Sequence, residues 1–420
     1  MSGGREFEHR LMDFNNSGQT SFSDIKKVLS IARERVAQRL DQSQADLSIR
    51  NVTVIDGRSD TAFLGDVIIQ NGKVVAVERA GSNVESRESI DGTGRFLMPG
   101  LIDMHVHVAG FAERPEALGQ LLAAGVTTAR DMGGHVTTLA RWRDEIARGV
   151  RSGPELLIVG PTLNGEANAP FHRVVTTPED AVAAVQESAD AGAVQIKVHN
   201  AISPEVLGAT ISAAKQRRLD VVGHLPPGPG PLALCHTGMK EIAHSSALLE
   251  SVLWRQEQSP VGLIEALEEL KGPQSDELYA CMARNTMAYA PNLSMYEPLI
   301  AGLEEPQASM TRRLTGVLGE ISLRAKDAGV LILAASDANG DAQHPSFGTG
   351  LHDELRLLVG AGFTPMEAIR TATSNAALHL HRNDIGVIAT GAQADLLLLC
   401  ADPTQKSSIR EQSAWSSQMG

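Results

Sequence analysis

The chain has 420 residues, a formal charge of −13, 42% hydrophobic residues and only 4% aromatic ones. That length exceeds a single small module and fits one large domain, or a barrel with an accessory domain, with ample apolar surface for a core. The acidic balance, with no basic stripe to interrupt it, argues against a nucleic-acid or anionic-membrane surface.

The opening MSGGREFEHRLMDFNN is polar and charged, unlike a secretory signal. No uncharged apolar run approaches the roughly 18 residues that a membrane span needs. Cys235, Cys281 and Cys400 are widely spaced, and an odd count cannot close a disulfide framework. They read as packing residues in a reducing compartment, so the expectation is a cytoplasmic enzyme.

Residues 1–45 stand apart as a helical extension. Within SFSDIKKVLSIARERVAQRLDQ, Phe22, Ile25, Val28, Leu29, Ala32, Val36 and Leu40 share one helical face, suited to packing on the main body or on a neighbouring subunit. The preceding Asp13–Asp24 segment resembles an EF-hand loop, with Asp13, Asn15, Ser17 and Asp24 as candidate calcium donors and Gly18 at the sixth position. Asp24 replaces the usual Glu, Thr20 replaces an aliphatic residue, and no second hand follows. A turn before a capped helix is the better reading, and EFEHRLM ahead of it fits a helix.

Residues 46–98 alternate short β-rich runs with turns, and Asn71-Gly72 signals a hairpin. Residues 384–412 repeat that grammar in IGVIATGAQADLLLLC, so one β-sandwich assembled from both parts of the chain is expected. Between them, 99–383 alternates strand-like runs with helices: LIDMHVHV, GVTTARD, ELLIVG, VQIKVH, LDVVGH, EIAHS, MAYAPN and VLILAASD. Eight such units imply an α/β fold, a (β/α)8 TIM barrel.

Polar residues fall at the ends of these runs. His105 and His107 lie at period two on the first strand and so project to one side. Lys197 ends the fourth run, His224 the fifth, His244 the sixth and Asp337 the eighth. Taken singly, each has an ordinary explanation: a structural histidine, a salt-bridging lysine, or an aspartate capping a helix before Ala338-Asn339-Gly340. Their recurrence at the C-terminal ends of five strands, where a barrel carries its chemistry, favours divalent metal binding. An ammonium beside dications is disfavoured, so Lys197 must be neutral or remote. A neutral amine can add CO2, and the resulting carbamate could bridge two ions.

These motifs resemble the amidohydrolase superfamily, in particular the imidazolonepropionase-like and Xaa-Pro or Xaa-Arg dipeptidase-like members, over roughly residues 46–405. PGLIDMHVHVAG matches the His-x-His strand, VQIKV the carboxylated-lysine strand, VVGHLP and EIAHSS the next two histidine strands, and AASDANG the last aspartate. The resemblance implies two divalent ions, expected as zinc, one held by His105, His107 and Asp337 and the other by His224 and His244. Carboxylated Lys197 would bridge them, a bridging hydroxide would attack, and Asp337 would act as catalytic base and then acid. Ala243-His244-Ser245 departs from the usual Glu-His-Gly, which removes a carboxylate beside that histidine.

Substrate contacts are expected from residues near strand ends: Arg130, His135, His172, His199, Tyr289 and Asn292. The function expected is metal-dependent hydrolysis of an amide bond in a small molecule, such as a dipeptide, an N-acyl amino acid or an ochratoxin-like amide. Hydrolysis of a lactam or lactone is the alternative, and a non-catalytic barrel scaffold a weaker one. The resemblance further implies a homo-oligomer.

Overall fold

The computed structural model describes residues 10–14, 45–226, 230–253 and 260–405. Its first strands are β1 (Arg10–Phe14), β2 (Ala45–Val54), β3 (Phe63–Gln70), β4 (Lys73–Arg79), β5 (Ser86–Asp91) and β6 (Phe96–Pro99). Strands β3 and β4 form the hairpin that Asn71-Gly72 signals. Both turn residues have positive φ, at 51° and 71°, the conformation that Asn and Gly tolerate.

The middle of the chain supplies β7 (Leu101–Val106), β8 (Val126–Asp131), β9 (Glu155–Ile158), β10 (Thr162–Asn164), β11 (His172–Val174), β12 (Gln195–Val198), β13 (Asp220–Gly223), β14 (Glu241–Ala243) and β15 (Ala288–Ala290). The last strand, β16 (Asp395–Leu399), returns to the first sheet, which runs β1-β16-β6-β2-β3-β4 with β5 paired to β2. Leu396 and Leu398 of β16 face the core of that sheet, with Val52, Val54 and Leu97. Leu397 and Leu399 face the opposite way, into the large core of the middle region. Burial on both faces explains why DLLLL is a continuous apolar run without alternation.

The middle strands are all parallel, in two sheets ordered β7-β8-β9 and β11-β10-β12-β13-β14-β15. Val194 just before β12 donates to Ile158 of β9 at 2.8 Å, which links the two. Residues 331–338 lie between β15 and β7 and bond to both: Leu333 N donates to Tyr289 O at 2.9 Å, and Met104 N to Ala334 O at 3.2 Å. Helices fill the crossovers and open on the caps the sequence offers. Thr177 with Asp180 and Thr364 with Glu367 form capping boxes before Pro178 and Pro365. The described part is thus a mixed α/β fold.

Several expectations need correction. VLILAASD is not a regular strand. Within it Ala334 N donates to Thr371 O, and Ser336 N to the Asp103 carboxylate, which takes these groups out of a ladder. The short strands β10 and β11 add a feature that the eight-run reading lacks. Arg10–Phe14, within the extension expected to be helical, is a strand paired in parallel with β16. The amphipathic segment after it, with Asn15, Ser17 and Asp24, lies outside the described residues.

Cys235 and Cys281, read as separate packing residues, form a disulfide with Cα atoms 6.2 Å apart. The crossover after β13 carries Cys235 against the helix Asp276–Arg284, so topology joins residues 46 apart in sequence. Cys400 is the unpaired one. The pairing removes the ground on which a reducing compartment was expected. Among the described residues, no helix is long and apolar enough to cross a membrane.

Candidate metal centre

Period-two projection brings Asp103, His105 and His107 of β7 and its end to one side of the strand. His107 Nδ1 donates to the Gly133 carbonyl at 2.7 Å, so a neutral His107 presents its Nε2 lone pair inward. That Nε2 lies 3.2 Å from His105 Nε2 and 3.4 Å from Asp337 Oδ1. His105 Nε2 is also 3.0 Å from Lys197 Nζ and 3.2 Å from Asp337 Oδ1. His244 points Nδ1 toward Asp337 Oδ2 at 3.9 Å. His224 joins through its ring, 4.7 Å from that of His244 between centroids.

Burial sets the charge of this cluster. It holds the His105 and His224 imidazoles well below their ordinary range and the His244 imidazole down to about 4, so all three are neutral near pH 7. Burial also brings the Lys197 amine down to about 8, against the upward pull of Asp337. For Asp337, burial pushes the carboxyl up, but His244, His107 and Lys197 outweigh it and the net shift is downward.

The donor set fits a divalent ion. One atom each from His105, His244 and Asp337 lie within 4.8 Å of one another. His244 Nδ1 is buried with no hydrogen-bond partner, although it faces a carboxylate. Neutral imidazole lone pairs aimed at one another and at an anion lack the positive charge that would satisfy them, and a dication supplies it.

The backbone and its supports are arranged around these groups. His244 and Asp337 have positive φ, at 72° and 59°, uncommon for residues with side chains. His244 N to Ala290 O at 2.9 Å and Asp337 N to His105 O at 2.8 Å hold them there. Asp103, absent from the sequence-based candidates, accepts from Ser336 Oγ at 2.6 Å, Ser336 N at 3.0 Å and His105 N at 3.2 Å. Burial raises its carboxyl to about 6. Asp131 accepts from Val108 N and Gly133 N at 2.8 and 3.1 Å and so steadies the carbonyl that His107 uses. The period-two run DMHVH already held the signal for Asp103.

Three expected substrate contacts are core residues instead. Arg130 is fully buried and gives both terminal guanidinium nitrogens to Glu241, at 2.7 and 2.8 Å, and its Nε to Met104 O. Tyr289 is fully buried, with its hydroxyl on Ser245 Oγ at 2.7 Å. Asn292 is buried too, donating to Ala335 O at 3.1 Å from a left-handed backbone. In each case the side chain turns into the protein, which strand-end position alone does not reveal. His135 is exposed beyond β8, at the start of the helix Val136–Ala147.

His172 and His199 are half-buried near the cluster and belong to a closed circuit of rings. Centroid distances are 5.1 Å for His105–His107, 4.7 Å for His107–Phe171, 5.1 Å for Phe171–His172 and 4.8 Å for His172–His199. The circuit closes through His199–His224 at 4.0 Å, His224–His244 at 4.7 Å and His244–His105 at 4.7 Å. Burial holds His172 down to about 4 and His199 to about 3.

Comparison with known proteins gives a consistent picture. The amidohydrolase family model matches residues 274–416. Adenine deaminase of Desulforamulus reducens is 43% identical over 102 residues, 24% of this chain and 17% of that protein. Adenine deaminase 2 of Rhizobium johnstonii is 25% identical over 392 residues, 91% of this chain and 58% of that one. The chain therefore spans little more than half the length of the longer-matching relative. Among solved structures, a Xaa-Pro dipeptidase with bound methionine in its active site has a TM-score of 0.66 at 21% identity, over 87% of this chain and 96% of that one. The ochratoxinase of A. niger has a TM-score of 0.69 at 19% identity, over 89% and 93%. At these identities the structures speak for the fold alone. By the family-model match over residues 274–416 and the relative matched along 91% of this chain, the chain is similar to amidohydrolases.

Proposed function

We propose that the chain is a metal-dependent hydrolase of carbon–nitrogen bonds whose substrate is a small-molecule amide, such as a dipeptide, an N-acyl amino acid or an ochratoxin-like amide. The observation that carries this reading is the contact of His105, His107, Lys197, His244 and Asp337 in one buried cluster, with His244 Nδ1 left unpartnered. We read residues 99–383 as a (β/α)8 barrel and 46–98 with 384–412 as its β-sandwich.

His105, His107 and Asp337 would hold one divalent ion and His224 and His244 a second, with zinc suited to such nitrogen and carboxylate donors. Bound, the ions would supply an activated water and polarise the carbonyl under attack. Lys197, its amine held down to about 8 by burial, is open to carboxylation by CO2, which converts a cation into an anionic ligand. Asp337 takes the proton released on attack and returns it to the leaving amine. The Gly133 carbonyl and the Asp131 carboxylate keep the imidazole of His107 in the required tautomer.

A second reading, hydrolytic removal of an amino group from a heterocycle, is favoured by the adenine deaminase relatives, one matching along 91% of this chain. Both readings use the same residues. The test is metal analysis of the purified chain, then a screen of dipeptides, N-acyl amino acids and adenine with zinc and bicarbonate. Release of an amino acid supports the first reading, and ammonia from adenine the second. A chain that takes up no metal is a scaffold. Lys197→Ala should lose activity and about one metal ion, and full retention of both rejects the bridging lysine.

A further inference from the structure

Phe171 is the hub of an aromatic wall beside the cluster. Its ring stacks on His107 at 4.7 Å with an interplanar angle of 28°. Phe111 meets it edge-on at 5.2 Å and 90°, and His172 does so at 5.1 Å and 87°. The seat of Phe171 is made from glycines. A Cβ on Gly133 would stand 2.9 Å from its Cδ2, and one on Gly110 3.2 Å from its Cδ1. The ring is therefore fixed by backbone that cannot accept a larger residue, and Phe171 itself is only 9% exposed.

Phe111 is different. It follows β7 in the loop immediately beyond His107, and it is 51% exposed in a chain with nine phenylalanines. One exposed aromatic has no meaning alone. Here its inner edge is anchored on a ring that itself rests on His107, so its open face is held in a set orientation near the reacting groups. Aromatic faces held this way favour flat or aromatic partners by stacking or edge contact.

We propose that Phe111, Phe171 and His172 form the specificity wall of this enzyme and select substrates carrying an aromatic or flat side group next to the bond that is cleaved. Phe171 sets the position, Phe111 makes the contact, and His172 extends the wall on its far side. This rests on the hydrolase reading above, and two readouts keep the two claims apart.

The test compares zinc-loaded wild-type chain with Phe111→Ala and Phe111→Trp, using N-acetylphenylalanine and N-acetylalanine. Hydrolysis is followed for both, and equilibrium binding of both is measured by calorimetry. Wild type should favour the aromatic compound about tenfold in kcat/KM, an aromatic contact of the usual strength. Phe111→Ala should lose most of that preference through KM with metal content unchanged, and Phe111→Trp should keep it. Hydrolysis without preference, or a preference that Phe111→Ala leaves intact, overturns the wall while leaving the hydrolase reading standing. If neither compound is cleaved but the aromatic one binds preferentially through Phe111, the wall stands and the amide reading falls. Neither cleavage nor preferential binding overturns the wall.

Discussion

His107 donates its Nδ1 proton to the Gly133 carbonyl across 2.7 Å, and Gly133 holds that carbonyl in place only because it has no side chain. Its φ is +147°, and a Cβ there would stand 2.4 Å from Thr162 Oγ1 and 2.9 Å from the Phe171 ring. Gly133→Ala should therefore move the carbonyl away from His107. Strain of this kind costs about 1–3 kcal/mol, and a lost ligand support weakens metal retention by about 10- to 100-fold. Denaturation and competition with a chelator measure the two effects. Unchanged metal retention would separate Gly133 from the site.

Asp337 holds the negative charge of the cluster and sits on a left-handed backbone that an asparagine tolerates as well. Asp337→Asn should fold normally and lose about 10²–10⁴-fold in kcat, the usual worth of a positioned acid–base group. Steady-state kinetics on whichever substrate is cleaved, with metal content measured alongside, checks this. A loss below tenfold in a fully metallated variant would move the proton role elsewhere.

Imidazoles in and beside the cluster couple stability to acid, among them the buried His244 and the half-buried His172 and His199. His244 and His172 are lowered from 6.5 to about 4, and His199 to about 3, first by burial in each case. Their folded values lie below the unfolded one, so the unfolded chain binds more protons in that window and stability rises with pH. The contribution is complete above pH 6.5 and is lost as pH falls through 4 for His244 and His172 and through 3 for His199. The metal-free chain should show a falling Tm from pH 6.5 to 4, with a shallower slope in a His172→Gln, His199→Gln double variant. A slope that the double variant leaves unchanged would reject the assignment to these two.

Arg130 and Glu241 form a fully buried pair that His379 Nε2 joins at 2.8 Å from Glu241. Removing one partner of such a pair leaves an uncompensated charge and costs about 3–5 kcal/mol. Glu241→Gln should be destabilised by that order in chemical denaturation. Arg130→Met combined with Glu241→Leu should be milder than either single change, and additive losses would argue against a pair.

The candidate cluster was legible in the sequence because its residues sit at the ends of apolar runs, and parallel strands gather such ends. His105, His107, Lys197, His244 and Asp337 needed only that rule. Arg130 and Tyr289 satisfied it equally and still turned inward, because a strand end fixes position along the strand and leaves open which face a side chain takes. The Cys235–Cys281 pairing depends on how one crossover packs against a later helix, which no local pattern encodes. Residues 331–338 look like a strand in composition, yet their backbone groups bond in part to the Asp103 carboxylate and Thr371. Arg10–Phe14 carries too short an alternation to be told from a helix.

The place of β16 between β1 and β6 has a consequence for biosynthesis. Pro99 of β6 finds its partner Leu396 only after the whole middle region has been translated. Until then a growing chain presents an open, apolar strand edge on the ribosome, the kind of surface that recruits chaperones or seeds aggregation. A truncation before Asp395 would make that temporary exposure permanent, and loss of solubility should precede any change at the histidine, lysine and aspartate cluster.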